Sequence, residues 1–374
     1  MTLEPKQELV FEPRSLQPGA GVFLTAGGIG REQSRIEVHY YKPRALTPRS
    51  RILLVIPGAG RDGDEYRDAW IEAAESANVL VAALCYPEAH YDFAAYHMGG
   101  VVKDMTFPAT NSNIVRLRDE DILFTPNPHP ELWLFNDFDR VFALLKAAVG
   151  SESDGYDVFG HSAGGQILHR LALFHPRSRA QRIIAANAGA YTLPELETPL
   201  LFGLDGSGVD ADGLGRSFAC RLTLLLGEND NSDAAGGIHL HTPLADQQGL
   251  DRLSRGHFFY RFAEARAQAM NTPFAWTLRT VPHVGHDFRG MSRGGGATAL
   301  SLVAGDAAAS QLYWCRDESA CESREGANLV CAALGAARAF SLAALGGVAS
   351  GAASTGGDFT PLGSGLISPG PQAG

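Results

Sequence analysis

The 374-residue chain is predicted to adopt an α/β fold, with a mostly parallel central sheet and helices on both of its faces. Two observations favour this class: apolar strand-like segments alternate with amphipathic helical segments, and glycine-rich or polar loops follow the strands. An apolar content of 45% is ample for a sizeable core. Because functional sites in such sheets lie at the carboxyl ends of the strands, we expect the loops after the strands to carry the chemistry.

The predicted elements follow one another in a regular order. Residues 22–25 and 36–41 are expected to form an opening antiparallel pair of strands. Alternating apolar runs and helical periodicities then indicate a parallel part. Its strands are predicted at 53–56, 79–84, 156–159, 182–187, 221–227 and 274–281, and its helices at 64–77, 135–149 and 163–174.

Residues 160–164 read Gly-His-Ser-Ala-Gly, a G-x-S-x-G pattern. An apolar run precedes it, and Ile167 and Leu171 recur at helical spacing until Pro176 ends the helix. This is the context of a nucleophile elbow, where a sharp turn exposes the serine and a Cβ on either glycine would collide with its surroundings. Ser162 is therefore the candidate nucleophile, and an ordinary glycine-rich turn is the alternative.

A serine nucleophile needs a base, and the base needs an acid that orients it. In this type of sheet the acid follows a late strand, and Glu-Asn-Asp-Asn comes directly after the strand at 221–227. Asp230 is the predicted acid. Glu228 is the second choice and Asp233 the third, while a turn-forming role is the alternative for Asp230.

The base is expected after the next strand, where Pro-His-Val-Gly-His-Asp-Phe begins at residue 282. His286 is preferred because Gly285 allows a tight approach and a helix is predicted to begin just after it. His283 follows a proline directly and could serve only loop hydrogen bonds.

An oxyanion hole is also required, because charge develops on the carbonyl oxygen during acyl transfer. One N–H donor is expected from Ala163, the residue after the serine, and the other from Ala59 or Gly60 in the glycine loop after the strand at 53–56. This loop lacks the third glycine of a dinucleotide fingerprint, and no Gly-Lys-Ser/Thr follows it, so phosphate binding is not predicted.

These ordered motifs resemble those of the α/β-hydrolase-fold serine esterases, and the resemblance spans roughly residues 20 to 290. The stretch 56–70, Ile-Pro-Gly-Ala-Gly-Arg-Asp-Gly-Asp-Glu-Tyr-Arg-Asp-Ala-Trp, resembles the esterases related to polyhydroxybutyrate depolymerases and feruloyl esterases. Many relatives carry His-Gly where this chain has Pro57-Gly58, so a side chain that often braces the loop is missing here. The resemblance implies hydrolysis of carboxylic esters, such as hydroxyalkanoate oligomers, without a cofactor.

Two alternatives stay open at this point. One is cleavage of amides or peptides by the same three residues, and the other is a non-catalytic binding protein on a hydrolase scaffold. The second alternative would not require a serine, an acid and a histidine together.

Two long insertions, at 86–133 and 188–219, interrupt the alternation of strands and helices. The first is rich in aromatic residues and is predicted to line the acyl or alcohol pocket, because long segments in compact domains are usually functional. Aromatic packing under a surface loop is the alternative. The candidate substrate contacts are His161 beside the serine and, from this insertion, Tyr91, Tyr96, His97 and Trp133.

A net charge of −10 argues against nucleic acid or an anionic membrane as the main partner. The sequence contains no clean apolar run of about 20 residues and no visible secretory signal, so a cytoplasmic location is expected. The expected partner is therefore a small or oligomeric ester, and the sequence does not predict an oligomeric state.

No metal site is predicted. The loop at 203–213 resembles a calcium loop in composition but lacks the terminal glutamate and the regular ligand spacing. His239 and His241, with Asp230 and Asp233, could be mistaken for metal ligands, but Asp230 already has a role as the acid.

The predicted catalytic domain covers residues 1–292. Beyond it, residues 293–374 form an alanine- and glycine-rich tail that is expected to be weakly ordered, although its beginning could complete the core.

Overall fold

The computed structural model describes residues 10–108, 112–232 and 239–293. The strands, in chain order, are β1 (Val10–Phe11), β2 (Gly19–Ala26), β3 (Arg35–Lys42), β4 (Ile52–Ile56), β5 (Leu80–Cys85), β6 (Val102–Thr106), β7 (Ile114–Arg116), β8 (Leu123–Pro126), β9 (Tyr156–His161), β10 (Ala180–Ala186), β11 (Leu222–Gly227), β12 (His239–His241) and β13 (Thr277–Val281). The helices are α1 (Gly63–Asp68), α2 (Ile71–Ala77), α3 (Phe93–His97), α4 (Phe135–Val149), α5 (Ala163–Phe174), α6 (Ala211–Ala219), α7 (Pro243–Gln247), α8 (Arg252–Ala269) and α9 (Phe288–Arg293). Short 3₁₀ turns cover Asp119–Asp121 and Pro130–Leu132.

Within the described residues, nine strands form one central sheet in the order β1-β2-β3-β5-β4-β9-β10-β11-β13. Strand β3 runs antiparallel to both β2 and β5, whereas every pairing from β5 to β13 is parallel. The predicted class, an α/β fold with a mostly parallel sheet, is confirmed.

Each face of the sheet is covered by its own apolar core, because successive side chains of a strand point to opposite faces. In β4, Leu54 and Ile56 pack into a core shared with α4, α5 and α8, while Leu53 and Val55 pack into a second core with α1, α2 and α9. Burial on both faces explains why the inner strands read as continuous apolar runs.

Two of the differences between the predicted and the observed boundaries have a clear physical cause. The helix predicted at 64–77 is divided into α1 and α2, because the chain turns at Trp70, which packs edge-on against Phe159 at a ring distance of 5.1 Å. The strand predicted at 274–281 begins only at Thr277, since the Ala275 N–H donates to the Phe218 carbonyl near the end of α6 instead of to the sheet.

The described part of the insertion at 86–133 forms regular elements. It contains α3 and the antiparallel pair β6–β8, and its strand β7 pairs with β12. None of the helices in the described ranges is long and apolar enough to span a membrane. The predicted boundary of the catalytic domain stays a prediction, because residues 294–374 lie outside the described part of the chain.

Strands β4, β9, β11 and β13 lie near one another in the parallel part of the sheet, and their carboxyl ends open at the same edge. The loop 57–61 follows β4, Ser162 follows β9, Asp230 follows β11, and His286 follows β13. The four predicted motifs are thereby brought to one edge of the sheet.

Candidate active site

Ser162 lies on a sharp turn between β9 and α5. Its φ of 59° and ψ of −114° are strained values for a residue with a side chain, and such strain occurs at functional sites. A Cβ on Gly160 would collide with the Gly164 carbonyl, and a Cβ on Gly164 would collide with the Ile56 carbonyl. Glycine is thus required on both sides of the serine, as the G-x-S-x-G pattern predicts.

The structure brings Ser162, His286 and Asp230 into one hydrogen-bonded series. His286 Nδ1 lies 2.8 Å from Asp230 Oδ2, and His286 Nε2 lies 3.0 Å from Ser162 Oγ. Because a carboxylate only accepts, the imidazole proton belongs on Nδ1, which leaves Nε2 to accept from the serine hydroxyl. In this arrangement the histidine can take a proton from the serine.

Asp230 is fully buried and is held by a second partner that the sequence did not indicate. Arg252 Nη1 lies 3.3 Å from Asp230 Oδ1, and the side chains of both residues are almost completely shielded from solvent. The Leu253 N–H also donates to the Asp230 carbonyl, at 3.1 Å. The first turn of α8 therefore packs against Asp230. Of the two carboxylate oxygens, Oδ2 faces His286 and Oδ1 faces Arg252.

The alternative acids and base occupy other positions. Glu228 accepts a hydrogen bond from Thr280 Oγ1 at 2.9 Å and has no contact with either histidine among the described hydrogen bonds. His283 is exposed, with a left-handed φ of 63°. Asp233 lies outside the described residues.

The glycine loop passes beside the serine. A methyl group placed on Gly58 would lie 3.5 Å from Ser162 Cβ. Ala163 is the first residue of α5, so its N–H has no acceptor within the helix. Ala59 and Gly60 are exposed, and their N–H groups donate to no acceptor among the described backbone hydrogen bonds. All three predicted donors therefore lack an acceptor among the described backbone hydrogen bonds, and their role as an oxyanion hole stays a prediction.

His161 is buried beneath the site. Its Nδ1 lies 3.2 Å from the Tyr66 hydroxyl, and its ring centre lies 4.7 Å from that of His286. Burial, reinforced by the nearby His286 and Arg252, holds the pKa of His161 well below its usual range. His161 is therefore a neutral side chain that packs between Tyr66 and His286, and its contact with substrate stays a prediction.

The other predicted substrate contacts are buried in the insertion. Tyr91 and Tyr96 have no exposed surface, and His97 and Trp133 are exposed by only 7% and 6%. The Trp133 indole N–H donates to the Asn127 carbonyl at 3.0 Å, and His97 stacks on Phe93. Their burial favours the alternative of aromatic packing, and direct contact with substrate stays a prediction.

No three His, Cys, Asp or Glu side chains in the described part of the chain lie close enough together to hold a metal ion. His239 and His241 stack on each other at 4.8 Å, and His241 Nδ1 lies 2.7 Å from Asp246 Oδ1. The described partners of Asp230 are His286 and Arg252.

No family model and no curated protein matches the chain. Among solved structures, poly(aspartic acid) hydrolase-1 from Sphingomonas sp. KT-1 is similar, with a TM-score of 0.66 and 36% sequence identity; the match covers 77% of this chain and 99% of that chain. The poly(3-hydroxybutyrate) depolymerase LpqC from Bordetella parapertussis is also similar, with a TM-score of 0.64 and 29% identity; here 77% of this chain and 89% of that chain are covered.

Proposed function

The chain belongs to the α/β-hydrolase-fold serine hydrolases, in the group of the poly(aspartic acid) hydrolase and the poly(3-hydroxybutyrate) depolymerase, and we propose that it cleaves carboxylic esters through an acyl-enzyme intermediate. The observation that carries this proposal is the series from Ser162 through His286 to Asp230, with separations of 3.0 and 2.8 Å. A serine hydroxyl is a weak nucleophile unless an oriented base takes its proton, and this series supplies both the base and the group that orients it.

In the proposed first step, Ser162 Oγ attacks the ester carbonyl carbon while His286 Nε2 takes the hydroxyl proton. The charge that develops on the carbonyl oxygen is stabilised by the N–H of Ala163 and by that of Ala59 or Gly60. Asp230 accepts from Nδ1 and stabilises the imidazolium. His286 then protonates the alkoxide as the C–O bond breaks, which leaves the acyl group on the serine.

In the second step, water enters where the alcohol has left. His286 takes a proton from this water, and the resulting hydroxide attacks the acyl carbonyl carbon. The bond to Ser162 Oγ breaks and the serine recovers its proton from the histidine. The same N–H groups stabilise the second oxyanion, so no metal or cofactor is needed to balance the reaction.

We propose hydroxyalkanoate oligomers or other esters of moderate size as the substrate class, on the analogy of the depolymerase. The second candidate is an amide, because the more similar structure is that of a hydrolase named for poly(aspartic acid), a polymer joined by amide bonds. A binding protein on this scaffold would not require the three side chains to be hydrogen-bonded in series.

The test is hydrolysis of p-nitrophenyl esters from acetyl to dodecanoyl, together with the p-nitroanilides of the same acyl groups. Wild type is compared with Ser162→Ala and His286→Ala, and His283→Ala is the matched control from the same loop. We expect ester turnover that falls by a factor of about 10³ or more in the first two variants and that persists in the control.

A clear preference for the anilides would assign the chain to the amidases. The proposed function would be overturned if the folded wild-type protein hydrolysed neither the esters nor the anilides. It would also be overturned if Ser162→Ala left ester turnover unchanged.

A further inference from the structure

The glycine loop at 57–61 makes few hydrogen bonds of its own. Pro57 has no N–H, and the described backbone bonds within the loop are reduced to the Arg61 N–H donating to the Gly58 carbonyl at 3.1 Å. Arg61 has a left-handed φ of 61°, a conformation that is costly for a residue with a Cβ. Contacts from outside the loop must therefore hold it in place.

Tyr96 makes the first such contact. Its hydroxyl donates to the Pro57 carbonyl at 2.7 Å, and both residues are buried. The ring is placed by the short helix α3, whose first turn is capped by Asp92 accepting from the Ala95 N–H at 2.8 Å. A hydrogen bond to the Pro57 carbonyl fixes the plane of the peptide group that leads into Gly58.

Arg61 makes the second contact, at the other end of the loop. Its Nη1 donates to the Tyr86 carbonyl at 2.5 Å and to the Tyr91 carbonyl at 2.9 Å. The guanidinium carbon lies 3.9 Å from the centre of the Tyr96 ring, which is within cation–π distance. The side chain is only 8% exposed, so these contacts hold the left-handed backbone from inside the protein.

We propose that Tyr96 and Arg61 are positioning residues, through which the 86–133 insertion fixes the glycine loop so that Ala59 and Gly60 present their N–H groups to the oxyanion. Both ends of the loop are tied to the insertion, while Ala59 and Gly60 between them are exposed and follow Gly58, which lies beside Ser162. In this role each side chain acts on the loop and not on the substrate. The inference rests on the proposed function, since a fixed oxyanion hole matters only if Ser162 performs acyl transfer.

The experiment compares Tyr96→Phe and Arg61→Lys with Tyr86→Phe as the matched control. Tyr86 belongs to the same aromatic cluster, with its ring 5.7 Å from that of Tyr96, and its buried hydroxyl has no hydrogen-bond partner among the described residues. Each variant is assayed for kcat and KM on the best p-nitrophenyl ester. The inhibition constant of a trifluoromethyl ketone with the same acyl chain, which forms an oxyanion on Ser162, is measured in parallel, and thermal unfolding checks the fold.

We expect Tyr96→Phe to lower kcat between about tenfold and about a hundredfold, with little change in KM, because a misplaced donor weakens transition-state stabilisation selectively. The inhibition constant of the ketone should rise by the same factor, and Arg61→Lys should behave in the same way. The Tyr86→Phe control should match wild type in all three constants.

Equal behaviour of Tyr96→Phe and Tyr86→Phe in a catalytically active protein would overturn this inference, as would a loss expressed only in KM or one that leaves ketone binding unchanged. Failure of the proposed function appears elsewhere, in the wild type itself, as absent turnover or as insensitivity to Ser162→Ala. It would remove this inference as well.

Discussion

Replacement of Asp230 by asparagine tests the geometry of the site, because the two oxygens of this carboxylate face different partners. Oδ2 lies 2.8 Å from His286 Nδ1, and Oδ1 lies 3.3 Å from Arg252 Nη1. An asparagine offers one acceptor and one donor group in the same place. If its NH₂ group faced Arg252, two donors would oppose each other in a buried site, at a cost of roughly 1–3 kcal/mol.

The arginine is therefore expected to attract the amide oxygen, so that the NH₂ group faces His286. Nδ1 must then accept, the imidazole proton moves to Nε2, and the histidine cannot take the proton of Ser162. We expect Asp230→Asn to lower kcat by a factor of about 10⁴, through this tautomer and the loss of the carboxylate charge. The orientational bias alone corresponds to a factor of about 5 to 150.

A second substitution should reverse this bias. In the Asp230→Asn background, Arg252→Met removes the donor that attracts the amide oxygen, so the amide can turn this oxygen towards His286. The kcat of the double variant should therefore exceed that of Asp230→Asn, by up to about a hundredfold. In the wild-type background the same substitution should lower activity, because Asp230 Oδ1 loses the Arg252 donor while Oδ2 still faces His286. Arg255→Met is the matched control, since Arg255 is buried on the same helix but donates to the Gly189 and Gly249 carbonyls and to Asp246, and not to Asp230.

The assay is steady-state and single-turnover hydrolysis of a p-nitrophenyl ester by the four proteins of the cycle and the control. Urea unfolding establishes that each is folded. The reasoning is refuted if Asp230→Asn keeps more than about a tenth of wild-type kcat, or if the double variant is no more active than Asp230→Asn.

Three further outcomes are expected. Gly164→Ala should cost more than about 2 kcal/mol of stability in urea unfolding, or displace the elbow and abolish turnover, because its Cβ would collide with the Ile56 carbonyl. Gly215→Ala is the control: the new Cβ would lie 3.7 Å from its nearest neighbouring atom, so the substitution should be neutral or slightly stabilising. Burial raises the pKa of Asp157 to about 6, because the folded protein favours the neutral carboxyl. The stability that this preference contributes is fully present below about pH 4 and is lost as the pH rises through 6. The free energy of unfolding of Asp157→Asn, measured in urea, should therefore rise by about 3 kcal/mol relative to that of wild type between pH 4 and pH 7. A difference between the two proteins that does not change with pH would contradict this. Glu228→Gln should keep kcat within about twofold, and a large loss would return Glu228 to the list of candidate acids.

Much of the site could be read from local sequence, because each motif carries its own geometry. The need for Gly160 is local, because its Cβ would collide with the Gly164 carbonyl in the same turn, whereas the need for Gly164 comes from Ile56 on the neighbouring strand β4. The order of serine, acid and histidine follows from the order of the strands, whose carboxyl ends share one edge. The role of the aromatic residues in the insertion could not be predicted from the sequence, because an aromatic-rich segment has the same composition whether it packs in the core or lines a pocket.

The α/β class, the elbow and the loops that carry Asp230 and His286 could be predicted from the sequence, because hydrophobic periodicity and the order of the motifs along the chain can be read without knowing how the strands pack. Asp230 and Glu228 lie only two residues apart, and the difference between them appears in the tertiary contacts: Asp230 faces His286 Nδ1, whereas Glu228 accepts from Thr280 Oγ1. The tertiary structure also revealed Arg252 against the acid and Tyr96 against the glycine loop, at separations of 22 and 39 residues along the chain. Such contacts depend on how α8 and α3 dock on the sheet, and no local pattern encodes that docking.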